Sequence, residues 1–197
     1  VLRGGSTPVL LAARSGDAAS ARYLLAAGAD VNDALPDSTS ALVLAAHSGH
    51  TDAAVVLLEK GANPDAAGSG YTALHAAVLR GDLALVKALL AAGANPNLLV
   101  TKGTPIRRDT PDFNLPATLI GATPYLLAAK FLESDIMRAL AAGDAEQRIE
   151  REHSLERVQA RPARGDEEIR ARGSERPERR GERPGGELRH IFARLMG

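Results

Sequence analysis

The apolar residues in the middle of the chain recur with a helical period in two short runs. Leu74, Ala77 and Val78 lie at positions i, i+3 and i+4, which places them on one face of a short helix. A second run over 83–92 has leucine and valine at the same spacing. Gly81 lies between the runs and suits a tight turn, because a residue without Cβ adopts positive φ cheaply. The pattern therefore predicts a pair of short helices.

The residues that flank these runs mark the helix ends. The hydroxyl of Thr72 can cap the first helix, and Gly93 follows the second as a C′ residue. Helices of about eight to ten residues are only marginally stable alone in water. Each pair must therefore bury its faces against neighbouring pairs, and we expect Leu74 and Leu89 to be buried.

The same template occurs four times along the chain. First runs occupy 7–13, 40–46, 72–78 and 123–129, and the second runs end at Gly28, Gly61, Gly93 and Gly143. The first three copies are offset by 33 and then 32 residues, a period typical of solenoid proteins.

The motif at 72–78, Thr-Ala-Leu-His-Ala-Ala-Val, and its three counterparts resemble Thr-Pro-Leu-His-x-Ala-Ala of the ankyrin repeat family. The resemblance implies an all-α solenoid of about four helix pairs over 1–143. The repeats would span about 7–39, 40–71, 72–122 and 123–143. It implies a protein-binding scaffold and not an enzyme, and it implies that His75 forms hydrogen bonds that tie neighbouring loops together.

An insertion at 98–119 separates the third copy from the fourth. Its three prolines disfavour both a helix and an interior strand. Loops longer than about 12 to 15 residues are usually functional or disordered. Two interpretations stay open: a tolerated surface insertion, or a recognition arm whose contacts would be Arg107, Arg108, Asp112 and Phe113.

The fourth copy departs from the template at two points. Leu132 replaces the turn glycine of the other copies, and Asp144-Ala145-Glu146-Gln147 replaces the expected Ala-Asp/Asn-x-Asn. The segment 144–197 that follows is rich in Arg, Glu, Gly and Pro, and it has too few large apolar residues to bury a core. We expect a charged helix over 145–160, lying over the last repeat, and disorder beyond it.

Two hypotheses account for the tail 144–197. GC-rich DNA read out of frame would give its composition, whereas a native tail could bind RNA or a membrane. Thirteen arginines against twelve acidic residues leave a net charge of +1, which makes a poor phosphate-binding tail. Because the chain begins at Val1, we also expect it to be a fragment, and we assign no cellular compartment.

Composition argues against most other classes of function. The 24 basic and 24 acidic residues balance, so no global field favours nucleic acid or an anionic membrane. The sequence has no cysteine, no apolar run long enough to span a membrane, and no nucleotide-binding or hydrolase motif. His47 and His50 have a spacing that could hold a metal, but they lie across a helix end. We therefore expect no catalytic residue, no cofactor and no metal.

The family resemblance also implies where a partner binds. The two residues after each first run, at the end of the Ala-Ala motif, would face the concave groove: Arg14, His47, Leu79 and Lys130, followed by Ser15, Ser48, Arg80 and Phe131. Tyr71 would lie at the adjoining edge, and Arg107, Arg108 and Phe113 could close over it. Three of the repeats place a cation in the groove and none places an acid there, while Arg and aromatic residues often anchor interfaces.

From these positions we predict that the chain binds a mildly acidic peptide or protein. We also expect a monomer, no nucleic-acid partner and no membrane span. The competing interpretation is that they are solvated surface positions. The alternative function is that of a regulatory or targeting ankyrin segment in a larger bacterial enzyme or sensor, which the Ala, Arg and Gly bias favours.

Overall fold

The computed structural model describes residues 5–103 and 117–159. These ranges contain eight α-helices: α1 (Pro8–Ser15), α2 (Ala18–Ala26), α3 (Ala41–Ser48), α4 (Thr51–Glu59), α5 (Ala73–Leu79), α6 (Leu83–Ala91), α7 (Pro124–Lys130) and α8 (Ser134–Gln159). A short 3-10 turn, Ala117–Leu119, precedes α7. Within the same ranges, extended pairing is limited to an isolated antiparallel bridge between Ala34 and Ser40. The predicted all-α fold class is confirmed.

Each repeat begins its first helix at a Ser or Thr. The four N-cap residues are Thr7, Ser40, Thr72 and Thr123, and each hydroxyl accepts a hydrogen bond from the backbone N–H three residues on. Asp17 and Asp82 do the same with their carboxylates for α2 and α6. These bonds satisfy donors that a helix leaves unpaired at its start, so the local sequence sets where the helices begin.

The turn between the two helices of a repeat is left-handed at one residue. In the first three repeats this residue is glycine, for example Gly49 at φ 77°. A Cβ there would lie 2.5 Å from the guanidinium of Arg80, which belongs to the next repeat. Leu132 adopts the same conformation at φ 60° in repeat four, where the side chain is 87% exposed. Glycine at this turn therefore allows the positive φ and also leaves room for the side chain of the following repeat.

The helix pairs stack into one continuous core. The first helices α1, α3, α5 and α7 pack side by side, and the second helices α2, α4 and α6 form a layer against them. The core is built largely of alanine, leucine and valine. Leu74 and Leu89 are fully buried, so the predicted burial of both is confirmed.

The insertion leaves the helix stack continuous, since α5 and α7 pack against each other across it. Val100 at its start pairs with the residues before α7: the Val100 N–H donates to the Ala122 carbonyl at 3.0 Å, and the Gly121 N–H donates to the Val100 carbonyl at 2.8 Å. These backbone hydrogen bonds hold the two ends of the insertion next to each other. Residues 104–116, with Arg107, Arg108, Asp112 and Phe113, lie outside the described ranges.

Repeat four ends differently from the other three. The template predicts that its second helix ends at Gly143, but α8 continues through this glycine to Gln159. Ile136 and Leu140 are buried, and a Cβ on Gly143 would lie only 2.9 Å from Leu90 of repeat three. The continuation has a local cause. Ala, Glu and Gln follow Asp144 after Gly143, whereas Ala-Asn-Pro follows Gly61 and Gly93, and Ala-Asp-Val-Asn follows Gly28.

Two hydrogen bonds join the continued part of α8 to repeat three. Asn97 Nδ2 donates to Asp144 Oδ1 at 2.6 Å, and Gln147 Nε2 donates to the Ala94 carbonyl at 2.6 Å.

The chain divides into two compact units, Val1–Ser154 and Leu155–Gly197; of the second, only the last residues of α8 are described. In the described part of the chain, no helix is both long enough and apolar enough to cross a bilayer.

Candidate partner-binding surface

The predicted groove positions lie together at the C-terminal ends of the first helices. Arg14 and His47 are in the last turns of α1 and α3, Leu79 and Lys130 are the last residues of α5 and α7, and Arg80 and Phe131 are the C-cap residues that follow them. We call these six residues the groove surface. Because α1, α3, α5 and α7 pack in order, the groove surface runs across all four repeats.

Three members of the groove surface present substantial side-chain area. Arg14 and Lys130 are exposed, and Phe131 is 48% exposed. A cation in the last turn of a helix also interacts favourably with the helix dipole. Local helix stabilisation accounts for part of the preference for Arg and Lys here, but it gives no reason for an exposed phenylalanine.

Arg80 joins repeat three to repeat two. Its Nη1 donates to the His47 carbonyl oxygen at 2.8 Å, and its guanidinium lies over Gly49. His47 in turn faces Tyr71: the ring centroids are 6.0 Å apart, and the Tyr71 hydroxyl lies 3.5 Å from His47 Nδ1. Arg80 and His47 therefore help to hold adjacent repeats together as well as lying at the groove surface.

Tyr71 and Leu79 are more buried than a contact residue would be. They are 6% and 8% exposed, and both belong to the hydrophobic core. Burial, together with the negative charge of Asp37, raises the pKa of Tyr71 to about 12. The phenol is therefore neutral at ordinary pH, and the side chains of these two residues offer little area to a partner.

His75 has the structural role that the family resemblance implies. It is fully buried, and its Nδ1 accepts a hydrogen bond from the Thr72 N–H at 3.2 Å in a capping box. Its Nε2 lies 3.1 Å from the Leu98 carbonyl, to which it donates when Nδ1 is the acceptor. Burial lowers the pKa of His75 to about 4, against hydrogen bonds that favour the charged form. The predicted loop-tying hydrogen bonds are confirmed.

A ladder of Asn and Asp side chains along the inter-repeat loops was missed by the sequence reasoning. The Asn63 N–H donates to Asn32 Oδ1, and the Asn95 N–H donates to Asp65 Oδ1, each at 2.8 Å. The signal was present, because every full copy has Asn or Asp in the two positions two and four residues after its terminal glycine. These bonds set the spacing of the loops at the edge of the array.

The described residues provide no cluster for metal chemistry. Across 5–103 and 117–159, no group of three or more His, Asp and Glu side chains could hold a metal ion. His47 and His50, the pair considered from the sequence, lie at the end of α3 and at the N-cap of α4.

Comparison with known proteins agrees with the repeating geometry. Residues 9–100 match the family described as "Ankyrin repeats (3 copies)". A putative ankyrin repeat-containing protein of Treponema pallidum is 42% identical over 120 residues, which cover 58% of this chain and 40% of that protein. The human ankyrin repeat and SOCS box protein 16 is 37% identical over 110 residues, covering 53% of this chain and 24% of that protein.

The chain thus spans less than half the length of either curated relative. The matched region contains the three helix pairs α1 to α6, with their capping residues, turn glycines and buried positions in register. Ankyrin repeats are in general protein–protein interaction modules and not catalytic ones. The family match and the stacked helix pairs together identify residues 9–100 as ankyrin repeats.

Proposed function

We propose that this chain is a protein-interaction scaffold that binds a mildly acidic peptide or protein on the groove surface. The observation that supports it best is the exposure of Phe131 directly after the exposed Lys130 at the end of α7. Arg14 presents a further exposed cation at the corresponding end of α1. An exposed aromatic ring beside positive charge is suited to anchor an acidic segment, since aromatic and basic residues are enriched at interface hot spots.

The electrostatics of the groove surface support an acidic partner. Its charged members are all basic, and Arg80 keeps its own position through the bond to His47. Charge complementarity of this kind mainly speeds association and selects partners. The array itself requires no catalytic group for this role, and non-catalytic binding is the proposed activity. The alternative, a regulatory segment of a larger enzyme or sensor, stays a prediction.

The experiment starts from a random peptide library displayed on phage and selected on the whole chain. Selected peptides should be enriched in Asp and Glu, and their affinity is then measured by titration calorimetry. The double variant Arg14→Glu with Lys130→Glu should weaken binding by about tenfold or more, because two interfacial charges are reversed. Phe131→Ala alone should cost a similar factor if the ring is an anchor.

The matched control reverses two exposed lysines on the second-helix layer. Lys60→Glu with Lys87→Glu makes the same change in net charge away from the groove surface, and it should leave the affinity unchanged. Arg80 is kept in both variants, because its place over Gly49 makes it part of the repeat packing. Equal losses in the two double variants, or peptides without acidic enrichment, would contradict the proposal.

A further inference from the structure

The first helices show which face of each repeat the next repeat covers. At the second and third residues of these helices, the side chains of repeats one to three are all at most 2% exposed: Val9, Leu10, Leu42, Val43, Leu74 and His75. The same two positions in repeat four are Tyr125 and Leu126, which are 45% and 57% exposed. Among residues 5–103 and 117–159, nothing covers on α7 the face that is covered in the other repeats.

The opposite end of the array exposes the complementary face. At the fourth residue of the first helix, Leu11 of repeat one is 51% exposed, whereas Leu44 of repeat two is 8% exposed and Leu127 of repeat four is fully buried. At the sixth residue of the second helix, Tyr23 is 79% exposed and Val56 of repeat two is 3% exposed.

Val56 packs with Ala12 and Ala21, which belong to repeat one. Its position therefore contacts the preceding repeat. Tyr23 has the same position in repeat one, so it lies on the face that would meet a preceding repeat. One chain thus carries both halves of an inter-repeat interface, each with an exposed tyrosine and an exposed leucine.

We propose that the face formed by Tyr125 and Leu126 binds the face formed by Leu11 and Tyr23 of a second copy of this chain, head to tail. The contact would continue the α1–α3–α5–α7 row from one molecule into the next. Burial of these leucines and tyrosines supplies the driving force, since large apolar side chains dominate interface energetics.

The described part of α8 does not cover the face formed by Tyr125 and Leu126. Asp144 and Gln147 are held on repeat three by their hydrogen bonds to Asn97 and Ala94, and Tyr125 and Leu126 stay exposed beside them. Two different faces meet, so the association is heterologous and can add further copies. This proposal competes with the sequence-based expectation of a monomer, and one measurement decides between them.

The test is sedimentation equilibrium between about 1 µM and about 1 mM, the range of affinities expected of modest interfaces. The average mass of the unmodified chain should rise from 20.6 kDa towards twice that value and beyond. Leu11→Glu and Leu126→Glu should each remain at the monomer mass over the whole range. Both substitutions are at exposed positions, and circular dichroism checks that the helical content is retained.

Mixing the two variants gives the decisive result. The Leu126→Glu chain keeps an intact repeat-one face, and the Leu11→Glu chain keeps an intact repeat-four face. An equimolar mixture should therefore form a complex of two chains and nothing larger. Leu99→Glu, at a residue that is 51% exposed outside both faces, is the matched control and should associate like the unmodified chain.

Three results would overturn the proposal: a monomer mass for the unmodified chain at the highest concentration, a mixture that stays monomeric, or loss of association in Leu99→Glu. None of them bears on peptide binding at the groove surface, because that surface uses different residues. The two proposals therefore fail separately.

Discussion

His75 makes the stability of the array sensitive to acid. Burial lowers the pKa of this histidine from its ordinary value of 6.5 to about 4. The unfolded chain therefore binds a proton between pH 6.5 and pH 4 that the folded chain does not. Stability is fully present above pH 6.5 and is lost as the pH falls towards 4. At about 1.4 kcal/mol per pH unit of pKa difference, the loss reaches about 3 kcal/mol below pH 4 and about 2 kcal/mol at pH 5.

The perturbation that isolates this effect is His75→Gln. Glutamine does not titrate, and it is one of the residues that can close a capping box from this helical position, so it can keep the bond to the Thr72 N–H. It gives up the bond to the Leu98 carbonyl, and we expect it to cost about 1 to 2 kcal/mol at neutral pH.

The assay is urea unfolding followed by circular dichroism, for both chains, at pH values from about 7.5 to about 5. The free energy of unfolding of the unmodified chain minus that of His75→Gln should fall by about 2 kcal/mol over this range. The variant should therefore be at least as stable as the unmodified chain at about pH 5. The other histidines and the carboxylates are present in both chains, so their contributions cancel in the difference. A gap that stays constant with pH would show that burial of His75 does not oppose its protonation, and the reasoning would be refuted.

Three further predictions concern stability. Leu89→Ala removes a fully buried side chain and should lower the free energy of unfolding by about 2 to 5 kcal/mol in urea titrations. Leu11→Ala, at a half-exposed position, should change this free energy by less than about 0.5 kcal/mol. Similar losses in the two variants would show that the assignment of buried and exposed helix faces is wrong. Leu132→Gly should raise the melting midpoint and increase the free energy of unfolding by up to about 1 kcal/mol. The reason is that this exposed leucine, at φ 60°, is in the left-handed region that glycine adopts freely. A lower midpoint would mean that the leucine is not strained. Amide hydrogen exchange measured at low concentration should be faster over 123–143 than in the other repeats, because the described residues cover α7 on one side only. Faster exchange in repeat two than in repeat four would contradict this.

The sequence predicted the helix pairs because local chemistry determines their ends. Ser or Thr at the N-cap, glycine at the left-handed turn and the helical period of leucine and alanine are each readable from one repeat. The same reasoning failed at Gly143, although Gly93 has an identical place in the template. Gly93 adopts φ 85° and is followed by Asn and Pro, whereas the residues after Gly143 favour a helix. The glycine permits a helix end, and the residues after it decide whether one forms.

Positions in the groove surface were harder to predict, because exposure there depends on the neighbouring repeat. Leu79 occupies the same helix position as Arg14 and Lys130, yet it is buried and they are exposed. Arg80 was expected to face a partner, but its bond to the His47 carbonyl also joins two repeats. Long-range contacts of this kind have no local signature, since they are set by how one helix pair is placed on the next.

The exposed face of repeat four connects the folding of the array with its interactions. Repeats two and three each have a neighbour on both sides. In the part of the chain that the structure describes, repeat four is stabilised by repeat three and by the hydrogen bonds of Asp144 and Gln147. A molecule that covers Tyr125 and Leu126 binds the folded repeat and not the unfolded one, so it must stabilise repeat four by mass action. Amide exchange over 123–143 should consequently slow as the concentration of the unmodified chain rises, while in Leu126→Glu it should not depend on concentration. Stability at this end of the array and association between copies are thus two measurements of the same interface.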